Sequence, residues 1–300
     1  IDLAAQNDEL LLNIGLGNTD SVRNEGTISV LSKLSKYKKQ PKFDIHVLPT
    51  NIILNDSAWS IGQADIVYTM ADQVMDIHNF SLHTDYQHIT ASGRASKLAS
   101  DSIDVVLNNI NLDYLLSYTE ASKAISIMGP VTGNARLYSV FSDLMLEADA
   151  SIKEGGLNGV YLGDVTAKAE LDRENKNILI QGVVIDSTQH QVATVNGKVI
   201  PATRWWGLDI ECDSADIRFI DFWTKDIIAN PQGRGYGHVK VEGQDHQVWV
   251  TGRALAKDAQ ITVPQIGVTF YLTDSIFLDS TAIRFPDVKA YDQYGNLGIF

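Results

Sequence analysis

Seven histidines, one cysteine and 37 acidic residues are the groups in this chain with the means to do chemistry, and their spacing decides how much. His78, His83 and His88 stand five residues apart. On a regular strand that spacing turns His83 away from the other two. No cysteine or carboxylate stands beside them at ligand spacing, so no metal site is expected. Gly15-Leu16-Gly17 and Gly233-Arg234-Gly235-Tyr236-Gly237 are not followed by a helix, and so lack the row of amides that holds a phosphate. Asp56-Ser57 and Asp274-Ser275 sit in no Gly-x-Ser-x-Gly elbow, and short Asx turns between strands account for both. Nothing singles out a pair of acids for work on a glycosidic bond. The residues therefore predict no catalytic constellation, no cofactor and no enzyme.

Charge and composition narrow the classes further. A net charge of −13 and a pI near 4.8 argue against nucleic acid, whose phosphates demand clustered cations. The one basic run, Lys33 to Lys39, reads as a solvated loop or helix end ahead of a lipid-headgroup contact. A single cysteine forms no internal disulfide, and Cys212 shares parity with Leu208 and Ile210, as a small side chain on a dry strand face would. No apolar run is long enough for a membrane helix. The chain opens on Ile1, which predicts a piece of a longer protein with any anchor outside it.

The elements that must position these groups are strands. Phe43, Ile45 and Val47 alternate with Asp44 and His46. Val165, Ala167, Ala169 and Leu171 alternate with Thr166, Lys168 and Glu170, and Val268, Phe270 and Leu272 alternate with Thr269 and Tyr271. Leu208 and Ile210 share one parity in the same way. Period two of this kind marks strands with one dry and one wet face. Turn signals fall at Glu154-Gly155-Gly156, Asn196-Gly197 and Tyr294-Gly295-Asn296. Helical spacing is confined to 112–125 and to Phe219–Ile228. Trp205-Trp206 reads as an interruption of a polar loop, while Trp59 and Trp249 stand among strand residues.

The pattern also repeats. Asp85-Tyr86-Gln87-His88 returns as Ser187-Thr188-Gln189-His190 and, more faintly, around Asp292-Gln293-Tyr294-Gly295. Ile77, Ile178 and Ile283 stand upstream of the three copies, 101 and 105 residues apart. This predicts one continuous body over 1–300, in loose repeats of roughly 1–95, 96–200 and 201–300, built as an array of neighbours. The fold class expected is all-β: an elongated, curled antiparallel sheet with one or two short helices.

The order of several short motifs carries a family resemblance. Asn55-Asp56-Ser57-Ala58-Trp59, Asp76-Ile77-His78-Asn79-Phe80 and Gly129-Pro130-Val131-Thr132-Gly133, closing with Val263-Pro264, Phe285-Pro286-Asp287-Val288 and Tyr291-Asp292, resemble the TamB-type translocation and assembly module family of the AsmA-like superfamily, as found in Bacteroides-like bacteria. The resemblance covers most of residues 50–300. It implies a curled sheet, a β-taco, with an apolar concave side, in a periplasmic protein held to the inner membrane through a segment outside this chain. It implies an outer-membrane barrel of the BamA/TamA type as partner, again through regions outside this chain. The implied work is assistance in outer-membrane protein assembly or transfer of phospholipid between membranes, with no catalytic residues.

Residue chemistry suits that role. An aliphatic wall without fixed polar anchors holds a lipid acyl chain and lets it slide, each buried CH₂ contributing about 0.8 kcal/mol. The candidate lining positions are Phe43, Ile45, Val47, Val165, Ala167, Ala169, Leu171, Leu208, Ile210, Val268, Phe270 and Leu272. Alternation alone is equally compatible with a structural β-solenoid or adhesin-like surface protein whose same positions fill a solid core.

Overall fold

The computed structural model describes residues 2–6, 9–17, 22–111, 126–142, 144–226, 228–244, 247–279, 283–284 and 287–299; within these, the side chains of residues 3, 5, 6, 222, 223, 283 and 299 are left aside. The fold is all-β, an antiparallel curled sheet. Its strands are β1 (Asp2–Gln6), β2 (Glu9–Gly17), β3 (Glu25–Tyr37), β4 (Gln40–Val47), β5 (Thr50–Leu54), β6 (Ser57–Ile61), β7 (Ala64–Thr69), β8 (Val74–His83), β9 (His88–Ala95) and β10 (Ser102–Asn111). There follow β11 (Ile127–Met128), β12 (Pro130–Tyr138), β13 (Met145–Leu157), β14 (Val160–Asp172), β15 (Asn177–Ile185), β16 (Gln191–Ile200), β17 (Trp205–Asp216) and β18 (Ala229–Gln244). The last are β19 (Gln247–Val263), β20 (Val268–Leu278), β21 (Ile283–Arg284), β22 (Lys289–Asp292) and β23 (Leu297–Ile299). The helical spacing at Phe219–Ile228 becomes a 3₁₀ turn, Ile217–Ile220, followed by a one-turn helix, Asp221–Thr224. The spacing at 112–125 lies outside the described residues.

The chain forms two compact units, Ile1–Ile110 with Val131–Asp149 and Asn111–Pro130 with Ala150–Phe300. In the first, successive strands pair antiparallel from β1 onward. β3 pairs with β4 and, in nearly the same register, with β5. β4 pairs with β7 and β5 with β6 without any slip. So β4–β5 and β6–β7 are two long strands, each broken once. The breaks, Leu48-Pro49 and Gly62-Gln63, stand opposite one another across the ladder. Pro49 has no N–H to donate, so the ladder must open there. The next strand gives way nearby: β8 bulges between Ile77 and Phe80, with Asn79 at φ 58°. A bulge bends its strand, and neighbouring interruptions crease the sheet across its strands.

The second unit repeats the device. β14 to β20 form consecutive antiparallel pairs. Ladder shifts occur between Val184 and Ile185, between Asp213 and Ala215 and between Ala256 and Ala259, with Ser214 at φ 76° and Asp258 at φ 49°. Ala215, Gly235, Ala256 and Asp274 face one another in turn, so these shifts line up as a second crease.

The sequence repeat has a local counterpart. Thr84, Asp186 and Asp292 each begin the turn of a hairpin: β8–β9, β15–β16 and β22–β23. Asp186 accepts from the Thr188 and His190 N–H groups, and Asp292 from those of Tyr294 and Asn296. The Thr84 hydroxyl accepts from the N–H groups of Tyr86 and Gln87. Two of the expected turns are not turns. Glu154-Gly155-Gly156 lies within β13 and Asn196-Gly197 within β16. Gly197 is there for space, since a Cβ would come within 2.5 Å of Leu208 Cδ2. Asp274-Ser275, likewise, lies inside β20, whereas Asn55-Asp56 forms a genuine two-residue turn at φ 48° and 61°. Trp205-Trp206 opens β17 and is no loop.

Candidate functional site: the apolar sheet face

Residues opposed in an antiparallel pair share a face, so the registers assemble each face residue by residue. In the second unit Ala169 faces Ile180, which faces Gly197, then Leu208, Val241 and Val250. One row along, Ala167 leads through Gly182 and Val195 to Ile210 and Val239. Leu171 leads through Ile178 and Val199 to Trp206, Gly243 and Val248, and Val165 through Val184 and Ala193 to Cys212. No charged residue enters these rows. The alternate rows form the other face, where Lys168 pairs with Glu170 at 2.5 Å, Lys240 with Glu242 at 2.9 Å and His238 with Asp209 at 3.2 Å. Arg253 lies 5.2 Å from the centre of the Phe277 ring on that same side.

The apolar face is sealed at one end and open over the rest. Past the crease, Phe270 and Leu272 pack with Ala256, Ala259, Val288 and Ala290 into a cluster in which Ala290 is 0% exposed, and Val268 and Ile217 lean on it. On the β14–β19 side, Val165, Ala169, Leu171, Leu208 and Ile210 are half-buried, Ala167 is exposed, and Val250 and Val248 reach 37% and 58% exposure. The candidate lining residues of this unit therefore share one face. They divide between an open stretch and a packed cluster.

In the first unit Phe43 faces Leu34 and Tyr68, Ile45 faces Ser32 and Ile66, and Val47 faces Val30 and Ala64. The rows run on through Met75 and Ile77 to Gly93 and Ile103, again without charge. Phe43 and Ile45 are half-buried and Val47 is buried. The Phe43 and Tyr68 rings stack with centroids 6.4 Å apart.

Several lining positions, Ile180, Val195, Val239 and Val241 among them, were not among the candidates. Their signal was register, not parity: each stands opposite a candidate.

The histidines behave otherwise than straight parity says. Because Ile77 and Phe80 face Gly93 and Ala91, the bulge at Asn79 inserts one residue and returns His83 to the face of His78. His83 then pairs directly with His88, their rings stacked 5.7 Å apart. His78 stands opposite Asp65, whose carboxylate meets His46 Nδ1 at 2.5 Å. Even so, among the described residues no group of three or more His, Cys, Asp or Glu side chains can hold a metal ion. Burial pushes the Cys212 thiol up, which suits a packing residue and not a nucleophile. A cavity of about 470 Å³ beside the one-turn helix is lined by Asn158, Arg218, Asp221, Lys225, Asn230 and Gln232, and by none of the candidate lining residues.

Compared with known proteins, the chain matches no family model, no curated protein and no solved structure. No helix among the described residues is long and apolar enough to cross a membrane.

Proposed function

We propose that this chain is a scaffold segment of a periplasmic, TamB-like envelope protein whose apolar face receives lipid acyl chains. In that role it assists outer-membrane protein assembly, or the passage of phospholipid between inner and outer membranes. The observation that carries the reading is the uncharged face of β14–β19, left half-exposed opposite a face laced with ion pairs. Exposed apolar surface of this extent is costly in water unless something covers it. A face of aliphatic side chains and glycines offers an acyl chain burial without a fixed polar anchor. The inner-membrane anchor and the partner barrel belong, in this proposal, to regions outside the chain.

Mass spectrometry of the protein purified without detergent tests the reading. Phospholipid is expected to co-purify, and Leu208→Asp with Ile210→Asp is expected to abolish it. Asp209→Asn, between them on the polar face, is expected to change nothing. Absence of lipid from the parent chain, or its retention by the doubly substituted one, overturns the proposal. A second reading, a structural β-solenoid or adhesin-like protein with a solid core, draws support from the packed cluster around Phe270 and Leu272. It predicts that no lipid is bound at all.

A further inference from the structure

Past the crease of the second unit, β20 and β22 turn very different side chains to their two sides. Phe270, Leu272 and Ala290 are buried in the packed cluster. Tyr271 and Tyr291 stand next to them in sequence, and so point to the other side of the sheet, 47% and 50% exposed. The registers set both tyrosines in one row across five strands. Gln232 of β18 faces Gln260 of β19, which faces Tyr271, then Tyr291 and then Leu297 of β23. The turns 264–267 and 293–296 close their hairpins at the same end of these strands, and at the second of them Tyr294 is 78% exposed.

This row is neutral in a chain of which 20% is charged. Residues 259–273 contain no Asp, Glu, Lys, Arg or His, and neither do residues 293–300. Asp292, next to Tyr291, is taken up by its own turn. Along the strands the flanking charges balance, with Arg234, Lys257 and Lys289 against Asp258, Asp274 and Asp287. At the turn 264–267 Asp226 contributes its backbone carbonyl, which accepts from the Gln265 amide. The polar groups of the row itself are amides and phenols, which donate and accept alike. The side chains of Gln232 and Gln260 and the hydroxyls of Tyr271 and Tyr291 make no hydrogen bond to another of the described residues.

We infer that this row binds a neutral polysaccharide, laid across the strands with its sugar rings on the two tyrosines. A pyranose has an apolar C–H face and a rim of hydroxyls. The face packs on an aromatic ring, and tyrosine offers that contact at little entropic cost. The hydroxyls, each donor and acceptor, are matched by unengaged amides and phenols and have no use for ions. Neighbouring strands lie about 4.8 Å apart, roughly the length of one sugar ring, so successive sugars meet successive side chains of the row. The packed cluster beneath holds β20 and β22 in place, which lowers the cost of ordering the site. Four of the five side chains in the row carry hydrogen-bonding groups, which favours a sugar over the apolar patch of another protein. This inference stands apart from the acyl-chain reading, because it concerns the other side of the sheet.

Affinity electrophoresis of the full chain tests it, in native gels cast with dextran, xylan, mannan or hydroxyethyl cellulose, and with the polyanion alginate as control. At least one neutral polymer is expected to retard the chain, and alginate is not. Tyr271→Ala with Tyr291→Ala is expected to weaken binding at least about tenfold, and Gln232→Ala, at an exposed amide, to weaken it by a smaller factor. The urea midpoint of each variant shows that it still folds. Leu208→Asp with Ile210→Asp, which removes the acyl-chain site, is expected to leave the retardation unchanged, so the two ideas fail separately. No retardation by any of the neutral polymers overturns the inference, as does equal retardation by alginate. So does binding that survives loss of both tyrosines. A dimer that the tyrosine substitutions dissociate, formed without any sugar binding, would give the row to a second copy of the chain and overturn it too.

Discussion

Single residues show how finely the two faces are fitted. Gly243 stands beneath the Trp206 ring with less than van der Waals room for a Cβ. Gly243→Ala is therefore expected to push the indole off the sheet, at a cost of about 1–3 kcal/mol in the urea midpoint. In a Trp206→Ala background the three nearest clashes are gone and the same change is expected to cost less. The double-mutant cycle then shows a coupling on the order of 1 kcal/mol or more. Additive effects would mean that the ring does not rest on Gly243. This fit was not legible in the sequence, where Gly243 is one of 22 glycines. Only the register of β17 against β18 brings it to Trp206. The alternation around Leu208 and Ile210 was legible, because strand parity is local and needs no partner.

At the scale of elements, the bulges decide which side chains face which way. Asn79 is the extra residue of β8, at φ 58°, a conformation asparagine tolerates better than most. Because it is bulged out and takes no place in the alternation, Phe80 and Leu82 stay on the apolar face, opposite Ala91 and Ile89. Asn79→Val, whose branched Cβ resists φ 58°, is expected to draw residue 79 into regular alternation, so that Phe80 and Leu82 turn to the polar side or Asp76 and His78 turn inward. The expected loss is on the order of 3 kcal/mol in chemical denaturation. Asn79→Gly keeps the bulge and relieves the positive φ, so its effect is expected to stay within about 1 kcal/mol. A valine substitution as mild as the glycine one would show that the bulge carries no register. Bulges also explain where sequence reading stopped. Period two fails across each one, which is why straight parity puts His83 on the wrong side of β8. The hairpin turns at Asp186 and Asp292 were easier, since their capping is written in adjacent residues.

Across the whole molecule the dominant quantity is charge. The chain carries −13 at pH 7, and its ion pairs are spread over the polar faces of both units. Acidification towards the pI near 4.8 removes self-repulsion, so stability is expected to hold or rise between pH 7 and about pH 5. Further down, another set of groups takes over. The Asp164 carboxyl is held below its ordinary 3.8 by the Lys153 ammonium and the Glu154 N–H, and Asp172 by the Asn175 amide and N–H. Asp186 is lowered by the Thr188 hydroxyl and the His190 N–H, and Asp292 by the Asn296 amide and N–H. A carboxyl whose folded pKa lies below its unfolded value stabilises the fold above the unfolded value and loses that contribution as pH falls through the folded one. The acid limb therefore begins near pH 3.8 and steepens below it. Urea midpoints measured from pH 7 to pH 2.5 are expected to trace a plateau followed by this fall. Asp186→Asn with Asp292→Asn should flatten the fall while leaving the plateau's shape unchanged. A midpoint that drops steadily from pH 7 to pH 5 would mean that net repulsion is not what burdens this acidic sheet, and that exposed ion pairs contribute more than solvent screening allows.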